Sequence, residues 1–486
     1  MITINTFRTS ATAPIATALV GSVVLSIIAM YFNPVIGRDS AFYIDLAQNI
    51  KTNGLKTTLN QFNWPWLSLM IATTHDITRL SLISSGHGIM ILLTAVTCAL
   101  LTRTAQLFNT QAGWWGCLIS LSLPAINGYR DSILREPGFW LFSALAIYLV
   151  TIWSKSGKWH YLLLAPASIL LAMVFRLEAI FLAPALALTL AWHGRACFAQ
   201  YKTAILTSAG VLAVAFAIFV LLFSSGSIES SRLDYYASLI NPSELTATLD
   251  ASANALSDAI LAKYSHDDAA TILLLGFLGL ILLKALLLNG PFLLPLIVTP
   301  QIKTVDSSGM PLSFITIALV SYTLILLIFF IQQNFMIDRY LAQLHILAFA
   351  LITQSTFQFQ KRFPRTVYIL VLIAILVALS NVVSLSPKRT HYIPSGNWIS
   401  ENIPVEKSTF YSDGRISFYA GRGYAVPLIS QEQALSSHFA EYDYFVIEDT
   451  RGNETLETQL QSGHLTLIAE FDNEHNREMM ILKRTQ

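Results

Sequence analysis

The stretch "GRDSAFYIDLAQNI", Gly37–Ile50, decides how the chain is to be read. It follows directly on an apolar run over residues 13–33 and sets a charged pair, Arg38 and Asp39, where a membrane span ends. The segment behind that pair carries Phe42, Leu46 and Ile50 on or near one helical face, which suits a helix lying on a bilayer surface. An apolar run, a charged pair and an interfacial helix, in that order, describe the edge of a membrane rather than the surface of a soluble domain.

Composition agrees. Of 486 residues, 54% are hydrophobic and only 12% are charged, where a soluble domain carries about 25%. A net charge of +1 gives no electrostatic case for nucleic acid or for a strongly acidic partner. Cys98, Cys117 and Cys197 lie in or beside apolar runs, with no spacing that suggests a disulfide framework or a cysteine metal site. The first apolar run, preceded by Arg8 alone, is too long for a cleaved signal and reads as a retained span.

Further runs near the bilayer length of about 20 residues occur at 82–102, 113–127, 137–154, 160–175, 177–192, 203–223, 270–288, 312–331, 340–358 and 366–386. With the first, that makes about eleven spans. Trp64–Thr74 and Pro291–Thr299 are too short to cross. Basic residues in short loops set the orientation: Arg103, Lys155 and Lys158, Arg195 and Lys202, Lys303, and the cluster Lys361, Arg362 and Arg365 all fall on one side. That side is the cytoplasm, together with the N-terminus. Loops 34–81, 128–136, 224–269 and 332–339 and everything after about residue 387 are then outside.

The last hundred residues change character. "STFYSD", "YDYFVIED", "HLTLIAEF" and "EMMILKR" read as strands, with helices at "QEQALSSHFAEY" and "ETLETQLQSG" and a linker with a short helix at "HYIPSGNWISENIP". "YSDGRISFYAGRG" reads as loop and strand. The fold class expected is an all-α polytopic membrane protein, residues 1–386, followed by a small extracytoplasmic α/β domain, residues 387–486.

Charge on the outer side gathers at four span ends. Arg38 and Asp39 stand at the first, and Arg130, Asp131, Arg135 and Glu136 at the second. Arg176 and Glu178 stand at the third, Asp338 and Arg339 at the fourth. Charge at membrane depth is costly and lines a cavity or finds a partner. A carboxylate takes a proton from an attacking hydroxyl, and arginine forks suit phosphate. Such a set fits transfer of a group from a lipid phosphate, whose tail stays in the bilayer while its head meets the arginines. Each residue also has a plainer reading. Asp39 caps a helix starting at Ser40, Glu136 opens the helix that follows it, Arg130 and Asp131 form an exposed pair worth little, Arg176 and Glu178 pair structurally, and Arg339 and Tyr340 anchor at the interface. His345, on an apolar span, reads as hydrogen-bonded packing.

On these stretches the chain resembles the multi-spanning GT-C glycosyltransferases, in the branch of the protein O-mannosyltransferases and the bacterial aminoarabinose transferase. The likeness rests on "GRDSAFYIDLAQNI", "REPGFWLFSALAIYLV", "FRLEAIFLAPALAL" and "DRYLAQLHILAFAL", in that order, and on "GNWISENIP" before "FYSDGRISFYAGR". The resemblance implies inverting transfer of a sugar from a polyprenyl-phosphate carrier to a lipid, glycan or protein acceptor at the outer face of a bacterial inner membrane. It makes Asp39 the catalytic base and Glu136 the second acid of the site. Arg176, Arg339 and Arg135 then stand near the donor phosphate, with Arg38, Asp131, Glu178 and Asp338 in support. A divalent metal is possible, although Ser40 stands where many relatives carry a second acid. Two other classes compete: a transporter or lipid flippase, which would place its charges near mid-membrane, and a non-catalytic assembly protein.

Overall fold

The computed structural model of the chain describes residues 11–62, 64–192, 241–300, 309–383, 388–448, 454–473 and 478–485, with isolated positions 202, 206, 210 and 238. The expected span at 203–223 and most of loop 224–240 lie outside the described residues, as does the expected domain boundary at 386–387.

Five described helices are long and apolar enough to cross a bilayer: Ala13–Phe32, Leu82–Phe108, Glu136–Ser156, Lys263–Leu287 and Met310–Gln333. Shorter apolar helices run over Trp159–Phe175, Leu177–Trp192 and Thr366–Val382. The helix Asp338–Arg362 carries more polar residues and packs among them. Local chemistry sets many of the ends. Ser81 accepts from the Ser84 N–H at the start of Leu82–Phe108. Glu136–Ser156 has Pro137 in its first turn and stops at Gly157, whose φ of 64° few other residues adopt. Asp338 opens its helix and Lys361 and Arg362 close it, which complements the helix dipole at both ends.

Two spans differ from the expectation. Residues 113–127 form a helix Gly113–Ser122 and a single turn Pro124–Asn127, parted at Leu123, which Pro124 holds in an extended conformation. Ten residues rise only about 15 Å, half a bilayer. The span at 270–288 ends beside a segment expected on the outer side. Lys284, near its C-terminal end, pairs with Asp338 at 3.0 Å, so this end lies beside the start of the Asp338 helix. The chain then follows that helix downward. The Ala285 carbonyl lies 2.9 Å from His345 Nε2, and Thr299 Oγ1 donates to the Ser355 carbonyl at 2.8 Å. From His345 to Ser355 is about 15 Å of helix. Residues 285–299, including the stretch too short to span, make this descent. It turns at Gly290 (φ 57°), where an added Cβ would meet Pro124 at 3.2 Å.

The C-terminal part holds a four-stranded sheet in the order β1-β2-β4-β3, from β1 (Thr409–Tyr411), β2 (Tyr444–Glu448), β3 (Leu465–Asp472) and β4 (Glu478–Arg484). β1 and β2 are parallel and the other pairs antiparallel. Side-chain alternation divides the sheet into two faces. Val446, Met479 and Ile481 pack under Tyr392–Asn402 and Gly414–Tyr419, while Phe445, Ile447 and Leu482 pack under Gln431–Leu435 and Glu454–Gln461. All four strands fall where the sequence placed them. "YSDGRISFYAGRG" is corrected: beyond Tyr411 it forms the helix Gly414–Tyr419, because Asp413 accepts from the Arg415 N–H and caps it.

Glycine permits one close contact that bears on the site. A Cβ on Gly138 would lie 2.2 Å from Phe175, the residue before Arg176. Gly138→Ala is expected to cost about 1–3 kcal/mol by forcing these helices apart, seen as a lower thermal midpoint in detergent. A wild-type midpoint would mean that the Phe175 ring has another place to go.

Candidate active site

The first turn of the Arg38–Asn53 helix presents Asp39. Gly37, not Asp39, occupies the N-cap position and no side chain caps this helix, so the capping reading of Asp39 does not hold. Its carboxylate turns to Arg339 instead, which donates through Nη1 to Asp39 Oδ2. Ser40 is buried and accepts from the Ile133 N–H at 2.9 Å, tying this helix to the second loop.

Arg339 also reaches toward a second acid, with Nε 3.4 Å from Glu136 Oε1. Glu136 is 4% exposed and receives Arg176 Nη1 at 2.6 Å on the same oxygen. Arg176 follows the Trp159–Phe175 helix in an extended conformation, and its other edge grips Glu178, Nη2 to Oε1 at 2.6 Å and Nε to Oε2 at 3.3 Å. Tyr340 lies against both guanidiniums, 4.5 Å from that of Arg176 and 5.3 Å from that of Arg339. The Tyr322 hydroxyl donates to the Tyr340 carbonyl at 2.9 Å and fixes the helix start. The result is a continuous chain of alternating charge: Asp39, Arg339, Glu136, Arg176, Glu178. It draws on four span ends that are far apart in sequence.

Arg135 differs from the other two arginines. Its guanidinium sits 5.9 Å from each of the Tyr43 and Phe62 rings and, among the described residues, makes no ion pair. Cation–π contact leaves its N–H edge open to an anion. Three acids and three arginines balance in charge here, and Arg135 is the cation without an acid in contact.

Three expected supporting residues face elsewhere. Arg38 pairs with Asp413 at 2.9 Å, Asp338 with Lys284, and Asp131 accepts from its neighbour Ser132 at 3.1 Å. Arg130 is not an exposed loop residue. It is 3% exposed and donates to the Ser22 hydroxyl (2.8 Å), the Ser26 hydroxyl (3.1 Å), the Ser22 carbonyl and Asn127 Oδ1. It clamps the first span to the second loop.

A divalent metal does not fit between these acids as arranged. Each of Asp39, Glu136 and Glu178 is already engaged by a guanidinium, and Ser40 supplies no carboxylate. Elsewhere, Glu470, Asp472 and Glu478 bring carboxylate oxygens within 4.8 Å of one another at one end of the β3–β4 pair, in the C-terminal part.

No protein-family model matches the sequence, and no curated protein matches it. Solved structures do. ArnT from Cupriavidus metallidurans, crystallised with undecaprenyl phosphate, superposes with a TM-score of 0.60 at 10% identity, over 97% of this chain and 98% of that one. The chain shares the ArnT fold. The Archaeoglobus fulgidus oligosaccharyltransferase, in a complex with Zn and sulfate, matches with a TM-score of 0.54 at 13% identity, over 89% of this chain and 68% of that one. The oligosaccharyltransferase AglB from the same organism, bound to an inhibitory peptide and a dolichol-phosphate, gives 0.50 at 12% identity over 89% and 69%. At these identities the likeness is one of fold, and it extends over the ArnT-like bundle and the sheet together.

Tyr340 joins two links of the ion chain. Sequence reading took it for an interfacial anchor. Its place against two guanidiniums depends on elements 164 positions apart, 176 and 340, and no local spacing carries that information.

Proposed function

We propose that the chain is an inverting glycosyltransferase of the GT-C class, in the branch of the protein O-mannosyltransferases and aminoarabinose transferases. It moves a sugar from a polyprenyl-phosphate carrier to a lipid, glycan or protein acceptor at the outer face of the membrane. The observation that carries this reading is the run of alternating acids and arginines from Asp39 to Glu178, on a bundle whose fold matches proteins solved with undecaprenyl phosphate and with dolichol-phosphate. In this reading Asp39 takes the proton of the acceptor hydroxyl, whose oxygen attacks the anomeric carbon from the face opposite the phosphate. The sugar–phosphate C–O bond breaks and its electron pair leaves on the phosphate oxygen. Arg135, Arg176 and Arg339 bear that charge. Arg339 is shared, so a phosphate that recruits it also releases Asp39 from its counter-ion.

The test is turnover of purified protein in lipid on a polyprenyl-phosphate-sugar extract of the source membranes, read as released polyprenyl phosphate. Absence of release with any acceptor extract would sink the reading. Arg135→Gln is expected to weaken polyprenyl-phosphate binding about tenfold, the loss of one charge-assisted hydrogen bond, with the fold intact. Unchanged affinity would take Arg135 out of the phosphate site.

The reading takes the chain to pass the membrane about eleven times, the broken pair Gly113–Ser122 and Pro124–Asn127 counting as one pass, with the N-terminus in the cytoplasm and the sheet outside. With single cysteines at Ser156, Phe363 and Ser462 in a cysteine-free background, an impermeant thiol reagent is expected to label only the last in intact cells with a permeable outer envelope. Labelling of the first two alone would invert the orientation and place the ion chain on the cytoplasmic side.

A further inference from the structure

We propose that Asp413, in the C-terminal part, is a positioning residue for Asp39, acting through Arg38; this rests on the reading of Asp39 as the base. Four observations carry it. First, the turn that bears Asp39 has no local support. Gly37 offers no capping side chain, and an uncapped first turn leaves its backbone N–H groups without partners. Second, the support comes from far away. Arg38, next to Asp39, donates through Nη2 at 2.9 Å and Nε at 3.1 Å to Asp413 Oδ2. The Ile36 N–H donates to the Tyr419 hydroxyl at 3.0 Å, so residues on both sides of Gly37 are held by the same short helix and its cap.

Third, Asp413 is itself buried and held. It is 3% exposed, and Arg415 grips it with Nε and Nη2, each at 2.9 Å, and with its backbone N–H at 3.0 Å. Burial pushes this carboxyl up, but the Arg415 hydrogen bonds and charge, with Arg38, outweigh it and hold it at about 2. Its charge is therefore kept through the ordinary carboxylate range and is lost only as pH falls toward that value. Fourth, the hold continues along the helix. Phe42 meets Tyr424 at 6.2 Å between ring centroids, and a Cβ on Gly423 (φ 79°) would come within 3.0 Å of Asp45 Oδ1. On the other side, Arg339 and the Ile133 N–H hold Asp39 and Ser40. The reacting turn is thus fixed between the bundle and the sheet.

A base must stand within hydrogen-bond reach of the proton it takes, and a displacement of 1 Å can cost about 10²-fold. The variants are Arg38→Gln, Asp413→Asn, both together, and Arg38→Lys. Arg38 is 63% exposed in its side chain, so Arg38→Gln is not expected to disturb folding. Three measurements are made on full-length protein in lipid: affinity for undecaprenyl phosphate, turnover on the membrane-lipid extract, and amide hydrogen exchange.

Affinity is expected to stay unchanged and kcat to fall by about 10²-fold in either single variant. The double variant should be no slower than the singles, and Arg38→Lys should recover part of the rate. Amides of residues 38–45 should exchange faster, while those of β2 and β4 keep their protection. If Asp413→Asn loosens the sheet amides as well, Arg38→Gln alone decides. Unchanged exchange at 38–45 overturns the proposal whether or not the protein is active, and so does wild-type kcat with faster exchange. Faster exchange in a protein whose wild type transfers no sugar leaves Asp413 as the support of this turn and removes the transferase reading instead.

Discussion

Asp39→Asn is expected to give a folded, membrane-inserted protein that binds polyprenyl phosphate and transfers sugar about 10³-fold more slowly, the usual scale for loss of a general base. The substitution keeps the side-chain size, and Asp39 caps no helix whose loss would confuse the result. Its side chain is 46% exposed, so no buried charge is stranded except on Arg339, which keeps Glu136. Binding is expected to hold or tighten, because Arg339 is then free for the phosphate. Asp76→Asn is the control: that carboxylate is exposed and, among the described residues, pairs only with Lys51 at 3.1 Å. Near-native transfer by Asp39→Asn would move the search for the base to Glu136.

Glu136→Gln carries the second large effect, and it combines stability with rate. Glu136 is the central acid of the ion chain, buried between two guanidiniums. Removing one partner of a buried ion pair costs about 3–5 kcal/mol, because the remaining charge stays desolvated. Arg176 still has Glu178, so the loss is expected at the lower end, about 3 kcal/mol. Among the described residues, Arg339 would be left with Asp39 as its sole acid partner and would hold it more firmly. Transfer is therefore expected to fall further than the loss of folded protein explains. A thermal midpoint equal to wild type would show that the two arginines are solvated despite their burial.

How much of this was legible in the sequence depended on distance along the chain. The strands of the sheet could be read because each carries its own alternation, and "YDYFVIED" needs no partner to declare itself. The helix Gly414–Tyr419 was misread because its signal is one aspartate cap inside a glycine-rich stretch. The break at Pro124 was present in the sequence, but the apolar run continues across it and hydropathy alone joins the two pieces. Asp39, Glu136, Arg176 and Arg339 were singled out because charge beside an apolar run is informative by itself. Their order in space was not, since a carboxylate has several arginines to choose from and only the packed bundle chooses. The diversion of Arg38 to Asp413 belongs to the same class, as does the burial of Arg130 under two serines of the first span. In each case the partner lies on another element and leaves no mark near the residue.

The separation of the partners has a consequence for how the protein comes into being. Asp39 and Arg339 are 300 positions apart, and Arg38 and Asp413 are 375 apart. At about 5–20 residues per second, the ribosome delivers the first member of each pair tens of seconds before the second. Throughout that interval the nascent chain already has its first apolar helix, yet has neither the guanidinium that joins Asp39 to Glu136 nor the brace behind Arg38. On the proposed reading, a chain that stops before residue 339 holds Arg135 and Arg176 but lacks the cation shared by Asp39 and Glu136, and is expected to transfer no sugar.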